Sequence, residues 1–151
     1  MRAIVLALER KHQIPKEHGR VTISPEAKKV LDDNLAVQAT VNPDGTPDIG
    51  PKGSLRSYDD THIIYNERTA RQTLKNIENG SKIIVLAIDL PNHTGYRFLG
   101  TPNLYAPGTP VYQEAVEWAK NNGQKDPAYA VLIDVERVDH LQDREGALAR
   151  R

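Results

Sequence analysis

The chain has 151 residues, 38% of them apolar, with one Phe, one Trp and six Tyr, which suits one domain around a modest core. Twenty basic and twenty acidic side chains cancel, so net charge gives no reason to expect nucleic acid or an anionic membrane as a partner. Cysteine is absent, which excludes disulfides, thiolate metal sites and cysteine nucleophiles, and no apolar run approaches the ~20 residues that span a bilayer.

The opening "MRAIVLALERKH" is a short apolar run after one Arg. It lacks a small-residue cleavage site and soon meets Glu9, Arg10 and Lys11, so it reads as a short helix or strand and not as a signal peptide. The expected location is therefore cytoplasmic. "IPKEHGRV" reads as a connector. Ser24 then offers an N-cap, Pro25 suits the first helical position and Glu26 suits the positive end of the dipole, which predicts a helix to about Asn34. "LAVQATVN" alternates, with Leu35, Val37, Ala39 and Val41 on one face, as a half-buried strand does. "PDG" reverses the chain into a hairpin partner over Thr46 to Ser57. Pro51 and Gly53 interrupt that partner, because proline cannot donate to a ladder and glycine in a strand marks a bulge or a close backbone approach. "THIIYN" is the third predicted strand.

"TARQTLKNIENG" predicts a short helix with Leu74 and Ile77 toward the core and Gly80 as its C-terminal cap. "KIIVLAIDL" is nearly all apolar and reads as the most buried strand. "GYRFLGTPNLYA" follows as a strand broken by Gly100 and Pro102. "TPVYQEAVEWAKNNG" is amphipathic, with Val111, Ala115, Val116 and Ala119 on or near one stripe and Trp118 beside it. "AYAVLIDVERVDHL" is the last strand, and the charged "QDREGALARR" tail is expected to fray. There are too few βαβ units for a doubly wound sheet. Six antiparallel strands of this length are expected to curl into a small, mostly β barrel with peripheral helices. The chain reads as one domain over 1–151, with its core at about 25–141, an extension at 1–23 and a tail at 142–151.

Most catalytic motifs are missing. No G-x-G-x-x-G follows a strand, and no P-loop, G-x-S-x-G or H-E-x-x-H occurs. The five histidines, at 12, 18, 62, 93 and 140, are scattered, and no metal site is expected from them. "RTARQT" is more informative. It stands before a helix, whose first turn leaves backbone N–H groups unpaired and can bind phosphate. Arg71 adds a guanidinium fork, Gln72 amide donors and Thr73 a hydroxyl, with Arg68 just upstream. The same turn also reads as an ordinary capped helix with a solvated Arg. Lys52 and Arg56 likewise read as surface charges on an edge strand, or as donors. "PKGSLR" and "RTARQT" bracket one strand, "THIIYN", so both can converge at one mouth of a barrel.

With these residues in this order, the stretch from "LAVQATVNPDGTPDIGPKGSLR" through "RTARQTLKNI" to "GYRFLGT" resembles the FMN-binding split barrels of the pyridoxamine 5′-phosphate oxidase-like type. The resemblance covers about Pro25 to Leu141. It rests on the "DGTP…PKGSLR" hairpin, the Thr-x-x-Asn-Ile helix after a basic turn and the late Gly-Tyr-Arg strand. It implies a six-stranded split β-barrel and a homodimer with FMN between subunits. By position it implies that Arg71, Gln72 and Thr73 hold the phosphate, and that the backbone of Pro51, Lys52, Gly53 and Ser54 meets the isoalloxazine edge and ribityl chain. The "QKDPAY" segment, with Tyr129 as its aromatic candidate, would reach the partner's flavin. The family often has Lys where this chain has Gln72, so either Arg68 or Lys75 replaces that charge or FMN is held more weakly. The C-terminal Arg/His motif of the longer vitamin B6 oxidases is not matched in "QDREGALARR". The expected function is an FMN-dependent oxidoreductase moving electrons or hydride between NAD(P)H or a similar donor and a small organic substrate. A flavin-binding electron carrier, or a relative that holds haem or a deazaflavin, is the alternative.

Overall fold

The computed structural model describes residues 21–142. The N-terminal helix or strand, most of the connector and the tail after Gln142 lie outside the described residues. The elements, in order, are α1 (Pro25–Asp33), β1 (Ala36–Val41), β2 (Pro47–Lys52), β3 (Arg56–Ser57), β4 (His62–Glu67), α2 (Gln72–Glu78), β5 (Ile83–Asp89), β6 (Thr94–Tyr105), α3 (Pro110–Asn121) and β7 (Tyr129–His140). Local chemistry explains their ends. Ser24 Oγ accepts from the Ala27 amide at 3.1 Å and Thr109 Oγ1 from the Tyr112 amide at 3.2 Å, each with proline opening the helix behind it. Gly80 closes α2 at φ +90, while the Ser81 amide reaches back to the Asn76 carbonyl.

The strands form one seven-stranded sheet in the order β2-β1-β5-β6-β7-β4-β3, antiparallel at every pairing. The expected architecture of a mostly β split barrel with peripheral helices is therefore present. The count is seven and not six, because the expected hairpin partner over 46–57 is two strands. β2 stops at Lys52, three residues cross, and β3 starts at Arg56. β2 and β3 lie at opposite ends of the strand order, yet Lys52 and Arg56 cannot be more than roughly 14 Å apart along an extended chain. The sheet has to curl until its two edges approach, leaving a seam between β2 and β4.

The barrel interior holds one apolar cluster that includes Ile63, Tyr65, Ile83, Val85, Phe98, Val131 and Ile133. α1 contributes Ala27, Val30 and Leu31 to it, and α2 contributes Leu74 and Ile77. α3 lies outside, where Ala115 packs with Ile64, Ala130 and Leu132. At the Leu99/Gly100 register shift between β6 and β7, a Cβ on Gly100 would collide with the Asp134 carbonyl oxygen and come within 2.6 Å of Ile133 Cγ2. Glycine is required there by close backbone approach.

β1 is phased opposite to the simple reading of its alternation. Its buried residues are Ala36, Gln38 and Thr40, while Leu35 is 67% and Val41 51% exposed. The physical reason is that the interior near β1 is polar, and the hydrogen bond that Thr40 Oγ1 accepts from Asn76 anchors that phase. The apolar face is turned outward, where register places Val37 and Ala39 beside Pro51 and Ile49 of β2 and beside Leu86 and Ile84 of β5. Ile49 is 70% exposed. A continuous apolar outer stripe of this kind is unusual on a monomer.

His62 begins β4 and is gripped from two sides, with Nε2 2.6 Å from Asp134 Oδ1 and Nδ1 2.8 Å from Asp59 Oδ1. The Asp134 hydrogen bond, opposed by burial and aided by Asp59, raises its pKa above the ordinary 6.5. A raised folded-state pKa means that protonation favours the fold. The contribution is complete below about pH 6.5 and is lost as pH rises through the folded value. The stability difference between wild type and His62→Gln should therefore shrink across that rise. Urea denaturation at stepped pH measures it, with a difference independent of pH as the contrary result.

Candidate functional site

The basic turn and β2 meet at the seam, and the turn is held from beneath. Arg68, Thr69, Ala70, Arg71 and Gln72 are all exposed. Ala70 sits at φ +50, a left-handed conformation that a residue with a Cβ adopts only when its surroundings impose it. The imposing contact is Glu67 Oε2, which accepts from the Ala70 amide at 3.1 Å. Arg71 is the N-cap of α2 and its side chain makes no capping bond. Among the described helices, α1 and α3 each have a capping hydroxyl and α2 has none. The first-turn amides of α2 are thus left to an outside acceptor.

Behind the turn, α2 is tied to β1 and β2 by a polar network. Gln72 Nε2 donates to Asn76 Oδ1 at 2.9 Å. Asn76, fully buried, donates to Thr40 Oγ1 at 3.0 Å and to Asn42 Oδ1 at 2.9 Å. Thr73 Oγ1 donates to Asp48 Oδ2 at 3.3 Å. These bonds fix which way the helix start faces. They also engage two of the three side chains expected to hold a phosphate, Gln72 and Thr73.

β2 supplies the other wall. Among the described residues it pairs only with β1, and no described strand lies on the other side of its backbone. Pro51 and Gly53 are exposed, and a Cβ at Gly50 or Gly53 would meet nothing within 4 Å. The backbone there is open to a flat group. Ser54 is buried: its hydroxyl accepts from the Asn66 amide at 3.0 Å across the seam. Arg56 does not join the turn. Its Nη1 donates to the Ser54 carbonyl at 2.7 Å, its Nη2 to Asn66 Oδ1 at 3.2 Å, and its guanidinium pairs with Glu114 and lies 4.5 Å from the Trp118 ring centroid. It fastens α3 to the seam. Arg68 and Lys75 are exposed, with Lys75 one turn beyond Arg71 on α2. Tyr129 is half-buried, opposite Glu67 in the β4–β7 register, and packs on the barrel core of its own chain.

Glu67 is the residue that sequence reasoning missed. Its side chain is 1% exposed, and Lys52 Nζ approaches Oε2 at 3.9 Å from across the seam. The same ammonium lies 5.1 Å from the Tyr65 ring centroid. Glu67 therefore links the β2 segment to the basic turn. A signal was present: Ile63, Tyr65 and Glu67 share one face at period two, and a carboxylate on an interior face demands a cation. Burial pushes the Tyr65 hydroxyl well above its ordinary range, the Glu67 charge adds to this and the Gln38 side chain opposes it. Gln38 Oε1 and Glu67 Oε1 are buried without a hydrogen-bond partner among the described residues. The described residues contain no group of His, Asp and Glu able to hold a metal ion.

Asn76→Ala removes three side-chain hydrogen bonds and strands Thr40 in the interior. At a net ~1 kcal/mol per bond, the fold should lose about 2–3 kcal/mol. A urea midpoint shift at unchanged slope measures this.

A model of the family described as pyridoxamine 5′-phosphate oxidase matches residues 23–142. Among solved structures, HupZ of Group A Streptococcus is 41% identical, with 85% of this chain and 99% of that chain covered at a TM-score of 0.73. A candidate pyridoxamine 5′-phosphate oxidase of Lactobacillus delbrueckii is 31% identical, covering 78% and 93% at 0.66. An FMN-binding protein of Syntrophomonas wolfei shares the fold at 15% identity, covering 97% of each chain at 0.61. The search of curated proteins finds no match.

Proposed function

Because this chain belongs to the pyridoxamine 5′-phosphate oxidase family, we propose that it is a cytoplasmic, homodimeric flavoprotein that binds FMN along the seam. It acts as an oxidoreductase on a small organic substrate, with NAD(P)H or a similar donor. The observation that carries this reading is a basic turn without a side-chain cap lying beside an edge strand whose glycines are open. The residues fit the group: Arg71 and the first-turn amides of α2 suit a dianionic phosphate, and the bare backbone at Gly50 and Gly53 suits a flat ring. FMN would supply two-electron chemistry, and the chain supplies position and electrostatics. Gln72 brings no charge, and its amide is engaged with Asn76, so Arg71 and the neighbouring Arg68 carry the positive charge of the turn.

The apolar outer stripe supports the dimer. Leu35, Val41, Ile49, Ile88 and Leu90 are each at least 40% exposed, and a two-fold axis would bury this patch against its copy. Since β2 borders the stripe, a ring at β2 would lie next to the second subunit. Ile49→Arg should turn the dimer into a monomer and weaken FMN together with it. Analytical ultracentrifugation reads the first effect and flavin titration the second. A monomeric wild type that still binds FMN is the opposing result.

A purified protein that is yellow, with absorbance near ~450 nm, supports flavin over haem or a deazaflavin. NAD(P)H turnover with a quinone separates an enzyme from an electron carrier. Arg71→Ala tests the phosphate assignment. Charge-assisted bonds to phosphate contribute ~1.5–3 kcal/mol, so FMN affinity should fall by roughly one to two decades while riboflavin affinity barely changes. Equal losses for the two ligands would remove Arg71 from the cradle.

A further inference from the structure

Lys52 and Glu67 face each other across the seam, between the two segments proposed to hold the ligand. The Glu67 carboxylate is 1% and the Lys52 side chain 21% exposed, at 3.9 Å, so water screens the pair only weakly. The separation exceeds a hydrogen bond. The bond from Ala70 engages Oε2, and Oε1 has no hydrogen-bond partner among the described residues. Lys52 also lies against the Tyr65 ring in a cation–π placement. The register opposite Ala36, a buried residue, turns the Lys52 side chain inward. Two opposite charges are thus held in a low-dielectric place beside β2, and their fields largely cancel outside the pair.

We propose that Lys52 and Glu67 form a self-cancelling charge pair that keeps either charge alone from biasing the redox potential of a flavin bound at β2, with Glu67 as the positioning residue for Lys52. The inference rests on the flavin reading above. Reduction adds negative charge to an isoalloxazine ring, so an uncompensated cation nearby favours the reduced form and an uncompensated anion the oxidised form. Neutralising either partner leaves the other unbalanced. The two single substitutions therefore act with opposite signs, and the double substitution cancels them.

The test uses the whole chain with bound FMN, its midpoint potential taken against a reference dye during slow enzymatic reduction. Glu67→Gln keeps the shape and an acceptor for the Ala70 amide, and should raise the potential. Lys52→Met should lower it. Each shift should be roughly tenfold in the oxidised–reduced equilibrium, about 30 mV for a two-electron couple. The double variant should return close to wild type, and Lys52→Arg, which keeps the charge, should leave the potential nearly unchanged. In the FMN-free protein, urea denaturation of the same set should show a coupled pair, with the double variant losing less stability than the sum of the singles. A chain that binds no flavin defeats the functional reading, and the tuning role with it. A chain that binds flavin but whose single variants shift in the same direction, or not at all, overturns the tuning role alone.

Discussion

Everything at this site depends on the closure of the sheet by Gly53, Ser54 and Leu55. These three residues join the two outermost strands of the sheet, so the curl of the barrel follows from chain connectivity before any side chain is considered. Side chains then fix the closure. Leu55 is buried in the core, its amide bonds the Lys52 carbonyl at 3.2 Å, and the Ser54 hydroxyl takes the Asn66 amide from β4. β2 cannot pair with β4 along its length because proline at 47 and 51 withholds donors. A barrel closed by a short link but not by a ladder has one polar edge left over, and the site is built on it.

That edge explains why the interior of β1 is polar. Gln38 and Thr40 point inward beneath the seam, and Thr40 meets Asn76 from α2. An apolar interior there would leave the start of α2 without its anchor, since Asn76 also holds Asn42 and receives Gln72. The hydrophobic residues of β1 are consequently displaced to the outer face. The stripe through Val37, Ala39, Ile49, Ile84 and Leu86 follows from giving the interior to polar contacts.

Much of this was legible in the sequence, for identifiable reasons. The Ser24-capped, proline-led start of α1, the turn at Asp44-Gly45 and the cap at Gly80 were read correctly, because each is decided within a few residues. The barrel class followed from the order of short strands. The split of 46–57 into two strands was not legible. Pro51 and Gly53 announced an interruption, but only the placement of β2 and β3 at opposite ends of the sheet shows its purpose. The phase of β1 was misleading for a related reason: alternation identifies two faces and does not say which one is inside. Arg56 looked like a donor for the basic turn, but strand direction sends it to Trp118 and Glu114 on the other side of the sheet. Glu67 went unread because its partners, Lys52 and the Ala70 amide, come from two different segments.

The two unsatisfied surfaces of this chain border one another, and that adjacency constrains what can complete it. Under the proposed function, the polar edge of β2 and the basic turn would take a ligand with an anionic group and a flat body, and the stripe beside them would take apolar cover. Cover from a second copy would bring its surface up to β2 and exclude water from the same groove, and exclusion of water strengthens every charge interaction within it. Ligand binding and self-association at such a boundary are thermodynamically linked, because each removes solvent from a surface the other also touches. A substitution on the stripe is therefore expected to affect ligand affinity without touching the ligand, and a substitution at the turn should affect self-association only through the ligand. This asymmetry follows from geometry alone: the stripe is a surface of the barrel at all times, whereas the turn acquires a partner only when an anion is bound.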